Sequence, residues 1–206
     1  MNFFREDWLM RNIKVRDNRE GLVNANKYSN KILLRPETLE GKRKNEILVR
    51  EGTAKRLARA ALFLPQKHQL IIFDGYRDAK KQEIYFKNRM RRLKQLNPDW
   101  NIKKIKREAM KLVADPESFA SHLTGGAVDV SIAENNRQIL MGGFIESIDK
   151  EKKISENMKK NRKLLEKIMI KAGFIKDYYE WWHWYYGDRY WAAAKKKKFA
   201  IYDSFI

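Results

Sequence analysis

His68, His122 and His183 are all the imidazole that this 206-residue chain possesses, and it has no cysteine. Thiolate metal sites, iron–sulfur clusters, disulfides and a cysteine nucleophile are thereby excluded. Metal or proton chemistry must be built from those three rings and from carboxylates. His122 opens the run His122-Leu123-Thr124-Gly125-Gly126-Ala127-Val128-Asp129-Val130-Ser131. If 126–132 is a strand, Ala127, Asp129 and Ser131 share one face, and Val128, Val130 and Ile132 share the other. The apolar face can be buried, which leaves Asp129 on a face of small residues. Gly125 and Gly126 permit a sharp turn that folds His122 back toward Asp129. An imidazole and a carboxylate converging in this way begin a zinc site, because zinc takes His nitrogen and Asp oxygen.

The second chemical segment is Glu180-Trp181-Trp182-His183-Trp184. Its aromatic wall would desolvate the Glu180 carboxylate and raise its pKa toward neutrality, which suits a general base. On a regular strand, positions i and i+3 face opposite sides. Glu180 and His183 therefore need a bulge, a bend or a turn to reach one site. Taken singly, each signal also has a plain reading: a histidine satisfied in a core, aromatics that only pack, a Gly–Gly pair that only turns the chain.

The elements that must position these residues follow from periodicity and breakers. Ala54, Leu57, Ala58, Ala61 and Leu62 recur at helical spacing over 53–64, with Pro65 beyond. The apolar run 69–73 reads as a strand closing at Asp74-Gly75. Asp78 caps a helix to about residue 95, and a basic helix covers 101–113. The strand at 126–133 turns through Glu134-Asn135-Asn136 into 138–141. A helix over 156–172 stops at Gly173, and 178–186 reads as a strand. Helices and strands mix without a βαβ beat. The expected class is α+β: a single domain over 1–206, a small and mostly antiparallel sheet packed with helices, and 1–11 and 195–206 as peripheral extensions.

Lys and Arg total 45 against 26 Asp and Glu, a formal charge of +19, while the hydrophobic fraction of 43% suffices for a core. Basic clusters at 91–94, 103–107 and 195–198 raise a nucleic-acid-binding protein as the alternative from another class. There is no helix-turn-helix, finger or RNA-binding signature, so a solvated lysine-rich surface is preferred and no nucleic-acid partner is expected. Such clusters could also attract anionic cell-wall polymers. No apolar run is long enough to span a membrane. The acidic start, with Glu6 and Asp7, is unlike a secretory leader and predicts a cytoplasmic protein, with unconventional export left open.

Three segments carry a family resemblance. Asp74-Gly75-Tyr76-Arg77, then Ser121-x-x-x-Gly125-x-Ala127-x-Asp129 with His122 inside it, then Glu180-Trp181-Trp182-His183 resemble, in order and separation, the signatures of the zinc D-alanyl-D-alanine dipeptidases. Weaker similarity covers Val49-Arg50-Glu51-Gly52, Met141-Gly142 and Ala172-Gly173-Phe174, so the resemblance spans the chain from about residue 12. It implies a fold of the hedgehog/DD-peptidase type and one zinc ion held by His122, Asp129 and His183, with a fourth position open for water. Glu180 falls on the catalytic base. Arg77 falls on the arginine that steadies the substrate carbonyl oxygen and the tetrahedral intermediate. Asp74 either orients Arg77 or touches substrate, and Ser121 lies near the substrate pocket or merely caps the backbone. His68 matches nothing. After Met141-Gly142 the family usually places Phe-Asp, whose aspartate grips the substrate's amine; here the ungapped match is Ile145-Glu146, so Glu146 either takes that role on a longer arm or is a surface glutamate. The implied activity is hydrolysis of the D-Ala-D-Ala dipeptide. The same chemistry also suits a D,D-carboxypeptidase or endopeptidase on longer peptidoglycan peptides. A catalytically silent relative is disfavoured, because a structural zinc site would need neither Glu180 nor Arg77.

Overall fold

The computed structural model describes residues 10, 12–35, 46–115, 118–143, 154–178 and 180–205. Strands β1 (Leu22–Asn24) and β3 (Leu48–Arg50) form a small antiparallel ribbon. Strands β2 (Ile32–Leu34), β4 (His68–Asp74), β5 (Ala127–Glu134), β7 (Ile175–Lys176) and β8 (His183–Tyr185) make the main sheet in the order β2-β4-β5-β8-β7, and β6 (Arg137–Gln138) is hairpinned onto β5. Of these pairings only β2 with β4 is parallel. The class is α+β with a mostly antiparallel sheet, as the sequence predicts.

Alternation along β5 decides which face is the core. Val128, Val130 and Ile132, with Leu70 and Ile72 of β4, meet Ala54, Leu57 and Ala61 of α1 (Glu51–Leu62) and Leu165, Ile168 and Met169 of α4 (Glu156–Ala172). Burying each large aliphatic side chain is worth about 1.5–3 kcal/mol. The other two long segments, α2 (Ala79–Leu96) and α3 (Ile102–Ala109), form a hairpin around their own small core of Phe86, Leu93, Ile105, Ala109 and Val113.

Helix ends follow local chemistry. Asp78, Asn101 and Ser155 each accept from a main-chain N–H of the first turn. Gly173, at φ +102°, ends α4 with the paired Schellman bonds, Gly173 N–H to the Ile170 carbonyl and Phe174 N–H to that of Met169. Three expectations change. The basic helix ends at Ala109 and continues to Val113 as turns, which still bring Val113 into the hairpin core. Pairing after the Asn135-Asn136 turn stops at Gln138. The strand expected over 178–186 is only His183–Tyr185, and Trp181 and Trp182 form a turn.

Within the expected peripheral extension, 195–198 is exposed, but 199–205 packs against the rest of the fold. Ala200 and Tyr202 are buried, Ala200 bridges to Val15, and the Tyr202 hydroxyl donates to Glu20 at 2.7 Å. Buried Arg50 donates to the carbonyl of Asp203 and to the carboxylate of Asp17, drawing both ends of the chain onto β3. The lysine run before it masks this apolar segment in the sequence. Among the described residues no helix is long and apolar enough to cross a membrane.

The short helix α5 (Arg189–Ala194) supplies a test of the fold's electrostatics. Asp188 caps it by accepting from the Trp191 N–H at 2.8 Å, while its Oδ2 is buried with no hydrogen-bond partner among the described residues. Burial pushes this carboxyl from an ordinary 3.8 up to about 7, against the pull of the Trp191 N–H. The folded state therefore holds the proton more tightly than the unfolded chain. This group's share of stability is complete below the unfolded value and is lost as pH rises through the folded one. Asparagine keeps the cap oxygen and carries no charge. Asp188→Asn should thus gain on the parent protein between about pH 4 and 7, by up to about 4 kcal/mol, in urea unfolding across that range.

Candidate metal centre

Strand register brings distant segments together at one end of the main sheet. Asp129 on β5 lies opposite His183 on β8 and opposite Asp74 on β4, after a shift in pairing between Ile72 and Asp74. Three chemically competent residues thus sit side by side on adjacent strands. His122 arrives from a single 3-10 turn, Ser121–Thr124, closed by Gly125 at φ +69°. Thr124 Oγ1 donates to the Ser121 carbonyl and accepts from Gly126 N–H. A Cβ on Gly126 would collide with the Tyr186 carbonyl, so the approach of β8 to this turn requires glycine. The fold-back expected of the Gly–Gly pair is what the chain does.

One donor atom from each of His122, Asp129 and His183 lies within 4.8 Å of the others, and all three side chains are buried. His183 Nδ1 is 2.7 Å from Asp129 Oδ1, and His122 Nε2 is 3.6 Å from Asp129 Oδ2. Donors at zinc bond lengths of about 2.0–2.2 Å around a tetrahedron stand about 3.4 Å apart, so these two separations straddle what such an ion needs. The rings are also turned correctly. His122 Nδ1 is 2.6 Å from the Gly75 carbonyl, an acceptor only, so Nδ1 carries the proton and Nε2 offers its lone pair inward. Ser121 Oγ stands 3.3 Å from His183 Nε2, which leaves Nδ1 toward Asp129.

Charge at this point agrees with the geometry. Burial works against ionising Asp129, but His122 and His183 hold it well below the usual carboxylate range. For His183, burial opposes the charged form and is outweighed by the hydrogen bond and charge of Asp129, which lift it to about 9. Burial and then the Arg77 charge push His122 down, keeping it neutral. Asp129 thus favours positive charge beside it, which a divalent cation held there by His122, Asp129 and His183 would supply in place of the proton.

Arg77 is the second component. Its Nε donates to Asp74 Oδ2 at 2.6 Å, its Nη1 to Gln82 Oε1 at 3.2 Å, and its Nη2 stands 3.6 Å from Asp129 Oδ2. The guanidinium also lies over the Tyr85 ring, 4.6 Å from its centroid. Burial resists the charge, yet Asp74 and Asp129 keep Arg77 protonated. Asp74 accepts in addition from Gly75 N–H. It is absent from the cavity lining and reaches Arg77 instead. Of the two roles left open for it, the geometry matches the orienting one.

Glu180 completes the cluster by the turn that a regular strand could not supply. His183 N–H donates to the Glu180 carbonyl at 3.2 Å, and Asp177 ties the loop from below. Asp177 N–H donates to the His183 carbonyl, while Asp177 Oδ1 accepts from Glu180 N–H at 2.8 Å and its Oδ2 from the Tyr185 hydroxyl at 2.6 Å. The Glu180 Oε1 atom is buried with no hydrogen-bond partner among the described residues. Burial pushes this carboxyl up to about 8, with Asp129 and Asp177 reinforcing the rise and His183 and Arg77 opposing it.

Arg77, Ser121, His122, Asp129, Glu180 and His183 line one cavity of about 320 Å³. Glu146 lies outside the described residues. Sequence reasoning missed Asp177, Tyr185 and Gln82. Gln82 carried a usable signal, a polar residue on the inward stripe of α2 beside Phe86 and Arg89; Asp177 carried none, because its three partners depend on how β7 meets β8.

A family model described as D-Ala-D-Ala dipeptidase matches residues 25–201. The chain belongs to this family of metallopeptidases. A D-alanyl-D-alanine dipeptidase of Synechocystis sp. is 27% identical over 177 residues, covering 70% of this chain and 71% of its own. Among solved structures, a zinc complex of the vancomycin-resistance D,D-pentapeptidase VanY is similar with a TM-score of 0.49 at 20% identity, covering 91% of this chain and 92% of that one. The LD-carboxypeptidase LdcB is similar with a TM-score of 0.48 at 20% identity, over 87% of this chain and 76% of its own. The three segments that mark the dipeptidase family in the sequence are the three that the fold gathers around the cavity.

Proposed function

We propose that the protein hydrolyses the D-Ala-D-Ala dipeptide with one zinc ion held by His122 Nε2, Asp129 and His183 Nδ1. The observation that carries this reading is Glu180 Oε1, a buried oxygen with no partner among the described residues on the wall of the cavity that holds the donor trio. A structural metal site has no use for such a group. When bound, zinc polarises the scissile carbonyl and acidifies the attacking water. Glu180 accepts the proton from that water and returns it to the departing amine, a role suited to a carboxyl that burial raises above its ordinary value. Arg77, held by Asp74 and Gln82, donates to the oxygen on which negative charge develops. Asp177 keeps the Glu180 turn in place through its main-chain N–H.

Arg77→Ala should lower kcat/KM by about two to three orders of magnitude, the usual effect of removing one oxyanion donor. Its metal content should be unchanged, because Arg77 stands beside Asp129 without being a donor. Metal analysis alongside steady-state kinetics checks both halves.

The cavity also runs past Ser118 and Phe119 to Arg107, Met110 and Lys111. That extension favours, as the second reading, a D,D-carboxypeptidase or endopeptidase acting on longer peptides. Zinc-loaded protein incubated with free D-Ala-D-Ala and with a pentapeptide ending in D-Ala-D-Ala, with amine release measured, separates them. Cleavage of the dipeptide alone supports the main reading. Cleavage of the pentapeptide alone transfers the assignment to the second, and cleavage of neither removes both.

A further inference from the structure

The positive charge of the chain is concentrated. Between residues 79 and 113 there are twelve Lys and Arg against three Asp and Glu. Helices α2 and α3 fold this stretch into a hairpin whose inner faces close on Phe86, Leu93, Ile105 and Ala109. Arg89 turns inward, while Lys80, Arg91, Lys94, Lys103 and Lys104 are exposed. Lys87 and Lys111 are balanced by Glu83 and Glu108. None of the five exposed residues meets a carboxylate at ion-pair distance among the described residues.

The end of the hairpin adds a second feature. Leu96, the last residue of α2, is 67% exposed, and Ile102, the first of α3, is 64% exposed. The connection between them is held rather than loose. The Asn97 side chain donates to the Leu93 carbonyl, Asn101 accepts from Lys104 N–H, and Lys94 Nζ donates to the carbonyls of Pro98 and Trp100. Lys104 lies over the Trp100 ring, 4.2 Å from its centroid. Two aliphatic side chains are thus kept exposed at the helix ends that face this connection, close in sequence to exposed Lys94, Lys103 and Lys104. Burying neither one contributes to the fold.

We propose that this hairpin end docks on a membrane surface rich in anionic lipid. Leu96 and Ile102 enter the boundary between headgroups and acyl chains, and Arg91, Lys103 and Lys104 lie against the lipid phosphates. Aliphatic tips flanked by Lys and Arg are the combination that an anionic bilayer interface rewards. A nucleic-acid duplex would use the cations through its phosphates and leave the two aliphatic side chains in water.

The test is co-sedimentation of the full chain with vesicles of phosphatidylcholine alone, and with vesicles containing about one third phosphatidylglycerol. One variant, Leu96→Ser with Ile102→Ser, removes the apolar tip. A second, Lys103→Glu with Lys104→Glu, reverses charge where acidic residues suit a helix start. The parent protein should partition onto the anionic vesicles and not the neutral ones. Each variant should lose at least about tenfold in partition while its melting temperature and its hydrolysis in solution stay unchanged. Equal binding to neutral vesicles, or undiminished binding by the serine variant, overturns the proposal. So does binding to duplex DNA in place of vesicles, which would make this a nucleic-acid surface, or self-association in place of vesicle binding, which would make it a contact between copies. The readout is sedimentation, so the result is independent of whether the cavity cleaves D-Ala-D-Ala.

Discussion

Glu180→Gln is expected to lower kcat for D-Ala-D-Ala by about two to four orders of magnitude while one zinc per chain stays bound. Glutamine has the shape of the glutamate but cannot accept a proton from water. The turn that carries the residue survives, since Asp177 holds it by its main-chain N–H. The metal donors survive as well, since His122, Asp129 and His183 come from other positions. Amine release measures the loss, and elemental analysis of the same sample measures the metal. A variant that kept most of its turnover would leave the reaction with a base other than Glu180. A variant that lost its zinc would place Glu180 in the metal site rather than beside it.

His122→Ala is expected to weaken zinc binding by more than the roughly 10–100-fold that follows loss of an outer partner of a ligand, and to remove hydrolysis with it. Among the three donors this one offers the cleanest test. Removing it leaves Asp129 still bonded to His183 at 2.7 Å and facing Arg77 at 3.6 Å, so no buried carboxylate is stranded and the fold should hold. Ser121→Ala gives the comparison, because the Ser121 hydroxyl lies against the outward nitrogen of His183 and not the nitrogen in the donor trio. It should fall within the outer-partner range and keep measurable activity at saturating zinc. Competition against a chelator of known affinity ranks the two, and equal losses would remove the distinction between donor and support.

Together the two outcomes separate the parts of the cavity. Loss at Glu180 should fall on chemistry without metal, and loss at His122 on metal and chemistry together. The dependence is physical: His122 turns a nitrogen lone pair toward the donor trio, Glu180 has a buried carboxylate oxygen with no partner among the described residues, and Arg77 carries a fixed positive charge.

Much of this protein is legible as local chemistry. Asp78, Asn101 and Ser155 announce helix starts because their side chains can accept a first-turn N–H, and Gly173 announces a helix end because it tolerates positive φ. Val128, Val130 and Ile132 announce the buried face of β5 by alternation alone. The scarcity of histidine narrows the metal donors before any fold is known, and the Gly125-Gly126 pair indicates where one of them turns back. What stays hidden has a common cause, which is pairing between segments far apart along the chain. The lateral row of Asp74, Asp129 and His183 exists only because β4, β5 and β8 are neighbours in a definite register; a slip of one residue would turn Asp129 to the apolar side. The turn that swings Glu180 toward His183 depends on Asp177, whose bonds reach β8. Likewise, 199–205 follows a lysine run that reads as surface, and it is held to the fold through Arg50 and Glu20.

The residue types and their spacing by themselves pointed to candidate groups for a reaction, two imidazoles, an aspartate and a desolvated glutamate, and the family resemblance added the guanidinium of Arg77. Tertiary structure alone decided their distances and the nitrogen each ring presents. Those quantities depend on strand register and on buried partners supplied by other segments, and neither is encoded in any short stretch of sequence.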